Sequence, residues 1–245
     1  MRLFPALTAG VLATASLGFG VLPKAAGQRA PAFLPQDGVV LFQGDSITDG
    51  GRQRTGMDYN HIIGQDYGYI LAAELGERYP EKKVNFVNRG ISGNRVPDLL
   101  ARWQQDTIEV KPDVLSILVG VNDTLFGHGE TLEEYEEGYD KLLAETLAAL
   151  PKVKIVLGEP FLLPVGSKKD EFPSAMAEVK KRQEVVFQLG RKYHLPVIAY
   201  QRAFDEACKR APADHWSWDG VHPTYAGHAL MAKAWLAAVE AAYGR

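Results

Sequence analysis

Cysteine is almost missing: Cys208 is the only one among 245 residues. A single thiol closes no internal disulfide and builds no zinc cluster, which excludes a disulfide-stapled scaffold and a zinc-ribbon fold. Neither sign of charge dominates. Lys and Arg number 27 against 30 Asp and Glu, a formal net charge of -3. There is no basic tract of the kind that marks a nucleic-acid partner, so none is expected. No period recurs along the chain, which sets aside solenoids and propellers. No phosphate-cradling glycine fingerprint is present, which argues against a nucleotide or flavin binder. His215, Asp214 and His228 lie close in sequence but follow no ligand spacing. They read as solvated or capping side chains, and no metal or other cofactor is expected.

A long hydrophobic run is present only at the start. Arg2 precedes an apolar stretch from Leu3 to Leu22, and Ala25, Ala26 and Gly27 follow as small residues of a cleavage site. Residues 1–27 therefore read as a secretion signal, with a retained membrane anchor as the other reading of a run this long. Its removal takes Arg2 and Lys24 and leaves a more acidic mature chain. The expected location is secreted or periplasmic, without stable membrane association. Residues 28–37, with Pro31 and Pro35, read as a leader, and 38–245 as one domain. With 46% hydrophobic residues, that length sustains a core that needs no staples. Cys208 falls in a short helix over 203–210 and reads as a buried small side chain.

Apolar runs alternate with helical spacing through this domain. Strands are expected at 39–43, 84–88, 113–120, 154–158 and 195–199. Helices are expected at 67–79, 96–106, 131–150, 174–193 with Ser174 as N-cap, and 225–243. Repeated strand–helix units imply right-handed crossovers and a parallel sheet covered on both faces. Ligands of such α/β sheets bind at the carboxyl ends of the strands.

Four short blocks fall at those ends: Gly44-Asp45-Ser46-Ile47-Thr48, Gly90-Ile91-Ser92-Gly93-Asn94, Gly120-Val121-Asn122-Asp123 and Asp219-Gly220-Val221-His222-Pro223. Taken singly each has an ordinary structural explanation, in a helix cap, a turn glycine, a turn asparagine and an exposed loop. Together they supply a serine nucleophile, an imidazole base, a carboxylate three residues away to orient it, and amide donors for an oxyanion. Ser46, Asp219 and His222 are the candidate catalytic residues. The amides of Ser46 and Gly93 and the side chain of Asn122 are the candidate oxyanion hole. Asp123 reads as a loop stabiliser. Tyr59, Trp216 and Trp218 flank the blocks and are candidate contacts for the apolar face of a sugar.

These blocks resemble the SGNH hydrolases, also called the GDSL esterase family, with Gly-Asp-Ser-Ile in place of Gly-Asp-Ser-Leu. The resemblance covers about residues 38–240. It implies a three-layer α/β/α sandwich on a flavodoxin-like parallel five-stranded sheet, in the order 2-1-3-4-5. It also implies an acyl-serine mechanism on Ser46 without a cofactor. The stretches Gly44–Arg52, Asn88–Asn94, Ala101–Trp103, Lys111–Val114 and Trp218–Pro223 are similar to those of bacterial acetylxylan esterases. The substrate this implies is an acetylated, xylan-like carbohydrate. Lipid, thioester, pectin and peptidoglycan acyl groups stay open, as does a non-catalytic carbohydrate-binding role. A homo-oligomer is compatible with the sequence.

Overall fold

The structure is a computed structural model that describes residues 29–56, 58–125, 131–166 and 169–244. The candidate secretion signal lies outside the described residues. Five parallel strands form the sheet: β1 (Val39–Gly44), β2 (Asn85–Asn88), β3 (Val114–Leu118), β4 (Lys154–Gly158) and β5 (Val197–Ile198). Their spatial order is β2-β1-β3-β4-β5. The helices are α1 (Ser46–Asp49), α2 (Tyr59–Ile63), α3 (Tyr67–Arg78), α4 (Val96–Trp103), α5 (Asn122–Leu125), α6 (Leu132–Ala149), α7 (Phe172–Tyr193), α8 (Tyr200–Cys208), α9 (Ala213–Trp216) and α10 (Tyr225–Tyr243). Among the described residues no helix is long and apolar enough to cross a membrane.

Side chains of a strand alternate between faces, so each strand feeds two cores. Val40, Phe42, Val114, Leu118, Val156 and Ile198 face one layer, built by α3, α8 and α10. Leu41, Leu115, Ile117, Ile155 and Leu157 face the other, built by α4, α6 and α7. The result is a three-layer α/β/α sandwich. The indole N–H groups of Trp235 and Trp103 inside these layers are paired, as burial demands. The Trp235 indole N–H donates to Ser116 Oγ at 3.0 Å on one face. The Trp103 N–H donates to Thr146 Oγ1 at 2.9 Å on the other.

Most element ends follow local chemistry. Thr131 and Glu134 form a reciprocal capping box at the start of α6. Several expectations need correction. Ser174 is not the N-cap of α7, which begins at Phe172 and carries Pro173 in its first turn; the Ser174 hydroxyl donates to the Glu171 carbonyl instead. The fifth strand is cut to two residues, because Pro196 has no amide to donate to a ladder. The helix from Val96 passes at Gln104 into a wider π turn over Gln104–Ile108. Cys208 is only half-buried. Phe33 and Leu34, in the segment read as a leader, are buried in the core, where Phe33 meets Trp235 edge-on.

Candidate active site

β1 ends at Gly44, and the chain turns at once into α1. The Asp45 side chain caps that helix by accepting the Ile47 amide at 2.9 Å. Ser46 is the first helical residue, so its side chain leaves the sheet edge at the carboxyl ends of β1 and β3. At the other end of the sequence, Ser217 and Pro223 bridge the base of a short loop. The Ser217 hydroxyl donates to the His222 carbonyl and accepts the Gly220 amide. Asp219 Oδ1 accepts the amides of Val221 and His222, at 2.9 and 2.7 Å. The loop therefore sets the carboxylate before any catalytic partner is considered.

The two segments meet although 176 residues separate them. His222 Nδ1 lies 2.7 Å from Asp219 Oδ2, and His222 Nε2 lies 2.8 Å from Ser46 Oγ. A carboxylate only accepts, so Nδ1 carries the proton and Nε2 accepts from the serine hydroxyl. The bond from Asp219 holds the imidazole above its ordinary range, against the opposing effect of burial; the charges of Asp219 and Asp45 add to the rise. Burial pushes Asp219 upward, but the bonds from the His222 ring and from the His222 and Val221 amides outweigh it. Its carboxyl lies below the usual range.

The loop after β2 is fastened to α1 by a dense hydrogen-bond net. Asp49 Oδ2 accepts the Ser92 amide at 2.8 Å, the Ser92 hydroxyl at 2.9 Å and Arg54 at 2.7 Å. Arg52 and Arg54 both donate to the Gly90 carbonyl at 2.9 Å. A Cβ on Gly90 would stand 2.5 Å from the Asp49 amide nitrogen, so no larger residue lets this loop close on α1. Arg102 donates to Asn94 Oδ1 at 2.8 Å and to the Arg89 carbonyl at 2.8 Å. Asn122 Nδ2 donates to the Asn94 carbonyl at 3.0 Å. Gly93 sits between the pinned residues Ser92 and Asn94 with φ 82°. The amides of Ser46 and Gly93 have no protein acceptor among the described residues. Asn122 keeps one N–H beyond the bond to Asn94. These are the three donors the four blocks pointed to.

The flanking aromatics divide. Trp218 is 65% exposed and stacks on the His222 ring with centroids 5.5 Å apart. Tyr59 is exposed at the start of α2. Trp216 does not face a ligand: it is buried, its indole N–H donates to the Ala211 carbonyl, and Arg210 covers its ring. It props the histidine loop from beneath. His215 is exposed and packs edge-on against Trp216. His228 is buried, and burial lowers it to about 4. No group of three His, Cys, Asp or Glu side chains among the described residues is placed to hold a metal ion. Asp123 Oδ1 accepts the Val96 amide at 2.9 Å and ties α5 to α4.

Sequence reasoning passed over Asp45 and Asp49. Asp45 is buried directly beside the serine, its Oδ2 has no hydrogen-bond partner, and burial raises its carboxyl to about 7. Only its place in the first block hinted at more than capping. Asp49, Asn88, Asn94 and Arg102 also lie within the quoted stretches, but nothing in one dimension shows that they converge.

Comparison with known proteins agrees with this geometry. The model of the GDSL-like Lipase/Acylhydrolase family matches residues 42–230. An acetylxylan esterase of Geobacillus stearothermophilus is 37% identical over 207 residues, spanning 80% of this chain and 91% of its own. The crystal structure of Axe2, an acetylxylan esterase from that organism, has a TM-score of 0.75 at 35% identity and covers 86% of this chain and 98% of the other. LAE5, an alpha/beta hydrolase enzyme from the metagenome of Lake Arreo, has a TM-score of 0.74 at 31% identity, covering 84% of this chain and 97% of its own. With its sheet order, its serine–histidine contact and these matches in agreement, the chain belongs to the GDSL-like lipase/acylhydrolase family and is a carboxylic ester hydrolase.

Proposed function

We propose that this esterase removes O-acetyl groups from xylan-like polysaccharides or oligosaccharides outside the cytoplasm. The observation that carries the chemistry is the continuous relay from Asp219 through His222 to Ser46, with contacts of 2.7 and 2.8 Å. Ser46 Oγ attacks the acetyl carbonyl carbon while His222 Nε2 takes its proton. The new oxyanion receives hydrogen bonds from the amides of Ser46 and Gly93 and from Asn122 Nδ2. Collapse of the intermediate breaks the ester C–O bond, and His222 returns the proton to the departing sugar hydroxyl. Water then attacks the acetyl-serine, losing its proton to His222; the acyl C–Oγ bond breaks, His222 returns that proton to Ser46 Oγ, and acetate leaves.

Similarity to acetylxylan esterases supports the carbohydrate substrate, and exposed Trp218 supplies an aromatic face beside the base. The apolar run at residues 3–22 supports export. Release of acetate from acetylated xylan, compared with hydrolysis of a long-chain p-nitrophenyl ester, tests the substrate. Acetate release that Ser46→Ala abolishes is expected. Faster hydrolysis of the long-chain ester overturns the reading. Detection of the protein with its first 27 residues intact in the cytoplasm overturns the location.

A further inference from the structure

A cavity lies between the segment that leads into α3 and the first turn of α10, and none of the relay residues lines it. Its volume is about 410 Å³, within the range of small-molecule sites. Asn60, Gln65, Tyr69, Ile70, Tyr225 and His228 form most of its wall. Both sides of that wall grow out of the segments that bear the relay. The Gln65 amide donates to the Gly50 carbonyl at 2.9 Å, at the end of the short helix that Ser46 begins. Tyr225 and His228 belong to the first turn of α10, which starts two residues after Pro223. His228 is close enough to feel the charge of His222.

The wall is chemically distinctive. It combines aromatic rings, of which Tyr225 is 86% exposed, with the side-chain amides of Asn60 and Gln65. Neither ring nitrogen of His228 bonds to the protein among the described residues, and Nδ1 is sealed from solvent. The ring therefore meets the cavity through its Nε2 edge, where a ligand hydroxyl can supply the missing partner. The lining contains no lysine or arginine. Its one carboxyl, Asp66, is buried, and burial pushes it up to about 8; His228 is likewise held neutral at physiological pH. The remaining titratable group of the lining, His61, is engaged by Asp58, whose Oδ2 lies 2.6 Å from its Nδ1, so it offers a carboxylate ligand no unshared counter-charge. Aromatic faces, amides and a wall without a free cation are complementary to a ring with apolar C–H faces and a hydroxylated edge.

We propose that this cavity is a glycosyl subsite that holds a neutral sugar ring next to the acetylated unit, and that it selects neutral chains over polyuronates. The proposal rests on the acetylesterase reading for the direction of the chain, but its binding test does not depend on turnover. Isothermal titration with xylotetraose and with tetragalacturonate is the experiment, on the full protein and on Tyr225→Ala and His228→Phe. Binding of xylotetraose by the native protein is expected, at least tenfold weaker in Tyr225→Ala, with tetragalacturonate at least tenfold weaker than xylotetraose. On acetylated xylo-oligosaccharide, Tyr225→Ala is expected to raise KM about tenfold more than it does for p-nitrophenyl acetate. Failure of xylotetraose to bind, equal binding by both variants, or equal binding of tetragalacturonate each overturns the subsite. If xylotetraose binds through Tyr225 but no acetate is released from xylan, the subsite stands and the acetylesterase reading falls. If acetate is released and Tyr225→Ala changes nothing, the subsite falls and the acetylesterase reading stands.

Discussion

Replacing Asp219 by asparagine separates the role of the carboxylate charge from its role in shaping the loop. Asp219 Oδ1 accepts two backbone amides, from Val221 and His222. An asparagine keeps both bonds only by placing its carbonyl oxygen there. Its NH2 group then faces His222 Nδ1, which must become an acceptor. The ring proton moves to Nε2, the atom that has to take the proton from Ser46. The variant thus keeps its loop but holds the base in the wrong tautomer. Such a change costs about 10⁴ in kcat in a related relay, equivalent to about 5.5 kcal/mol of barrier. Stability changes little, because the carboxylate–imidazole pair is partly exposed and such pairs contribute about 1 kcal/mol or less. Asp219→Ala is the contrasting variant. It also loses both backbone bonds, each worth about 1 kcal/mol, and lowers Tm by several degrees, since about 2–4 °C per kcal/mol holds at this size. The assay is kcat on p-nitrophenyl acetate beside Tm from scanning calorimetry. An Asp219→Asn enzyme that keeps a tenth of native kcat with an unchanged Tm refutes the tautomer argument.

Asn122→Ala removes an oxyanion donor and the tie to the Asn94 carbonyl; kcat and kcat/KM are expected to fall together by about 10²–10³, and a higher KM at constant kcat would show a role in ground-state binding only. His222 reacts as the neutral base and is raised above its ordinary value of 6.5, so kcat/KM must fall as pH drops through a point above 6.5. A pH profile with its acid limb at or below that value contradicts the assignment. Gly90→Ala drives a methyl against the Asp49 amide and the Thr48 carbonyl carbon, at 2.5 and 2.8 Å. It is expected to displace the Gly93 loop and to lower both Tm and kcat, whereas Gly51→Ala, with open space at its Cβ, should leave kcat within about twofold despite strain at its positive φ.

Some features were readable because they are local. Strand patterns at 154–158 and helix spacing at 225–243 match the observed elements to the residue. The cap at Thr131 is a four-residue motif and needs no distant partner. Other features defeated a one-dimensional reading for equally physical reasons. Trp216 and Trp218 differ by two positions in one loop. The Ser217–Pro223 bridge turns one ring into the core and the other over the histidine. Ser174 has the chemistry of a cap, but Pro173 suits the first turn better and moved the helix start upstream. The capping role of Asp45 is local, while its burial and its charge contact with His222 depend on the whole sheet.

The chain alone determined which reactive groups are available, a hydroxyl, an imidazole, a carboxylate and amide donors, and it determined alternating layers that must bury both faces of a sheet. Covalent identity and short-range periodicity suffice for both. Proximity did not follow from either. Only the assembled sheet, with β1 between β2 and β3 and the histidine loop folded back over its carboxyl edge, brings atoms 176 residues apart to 2.8 Å. Only the packing of Gly64–Tyr69 against the first turn of α10 hollows out the neighbouring cavity. Distances of that kind are properties of three-dimensional packing, in which many weak contacts act at once, and no single segment encodes them.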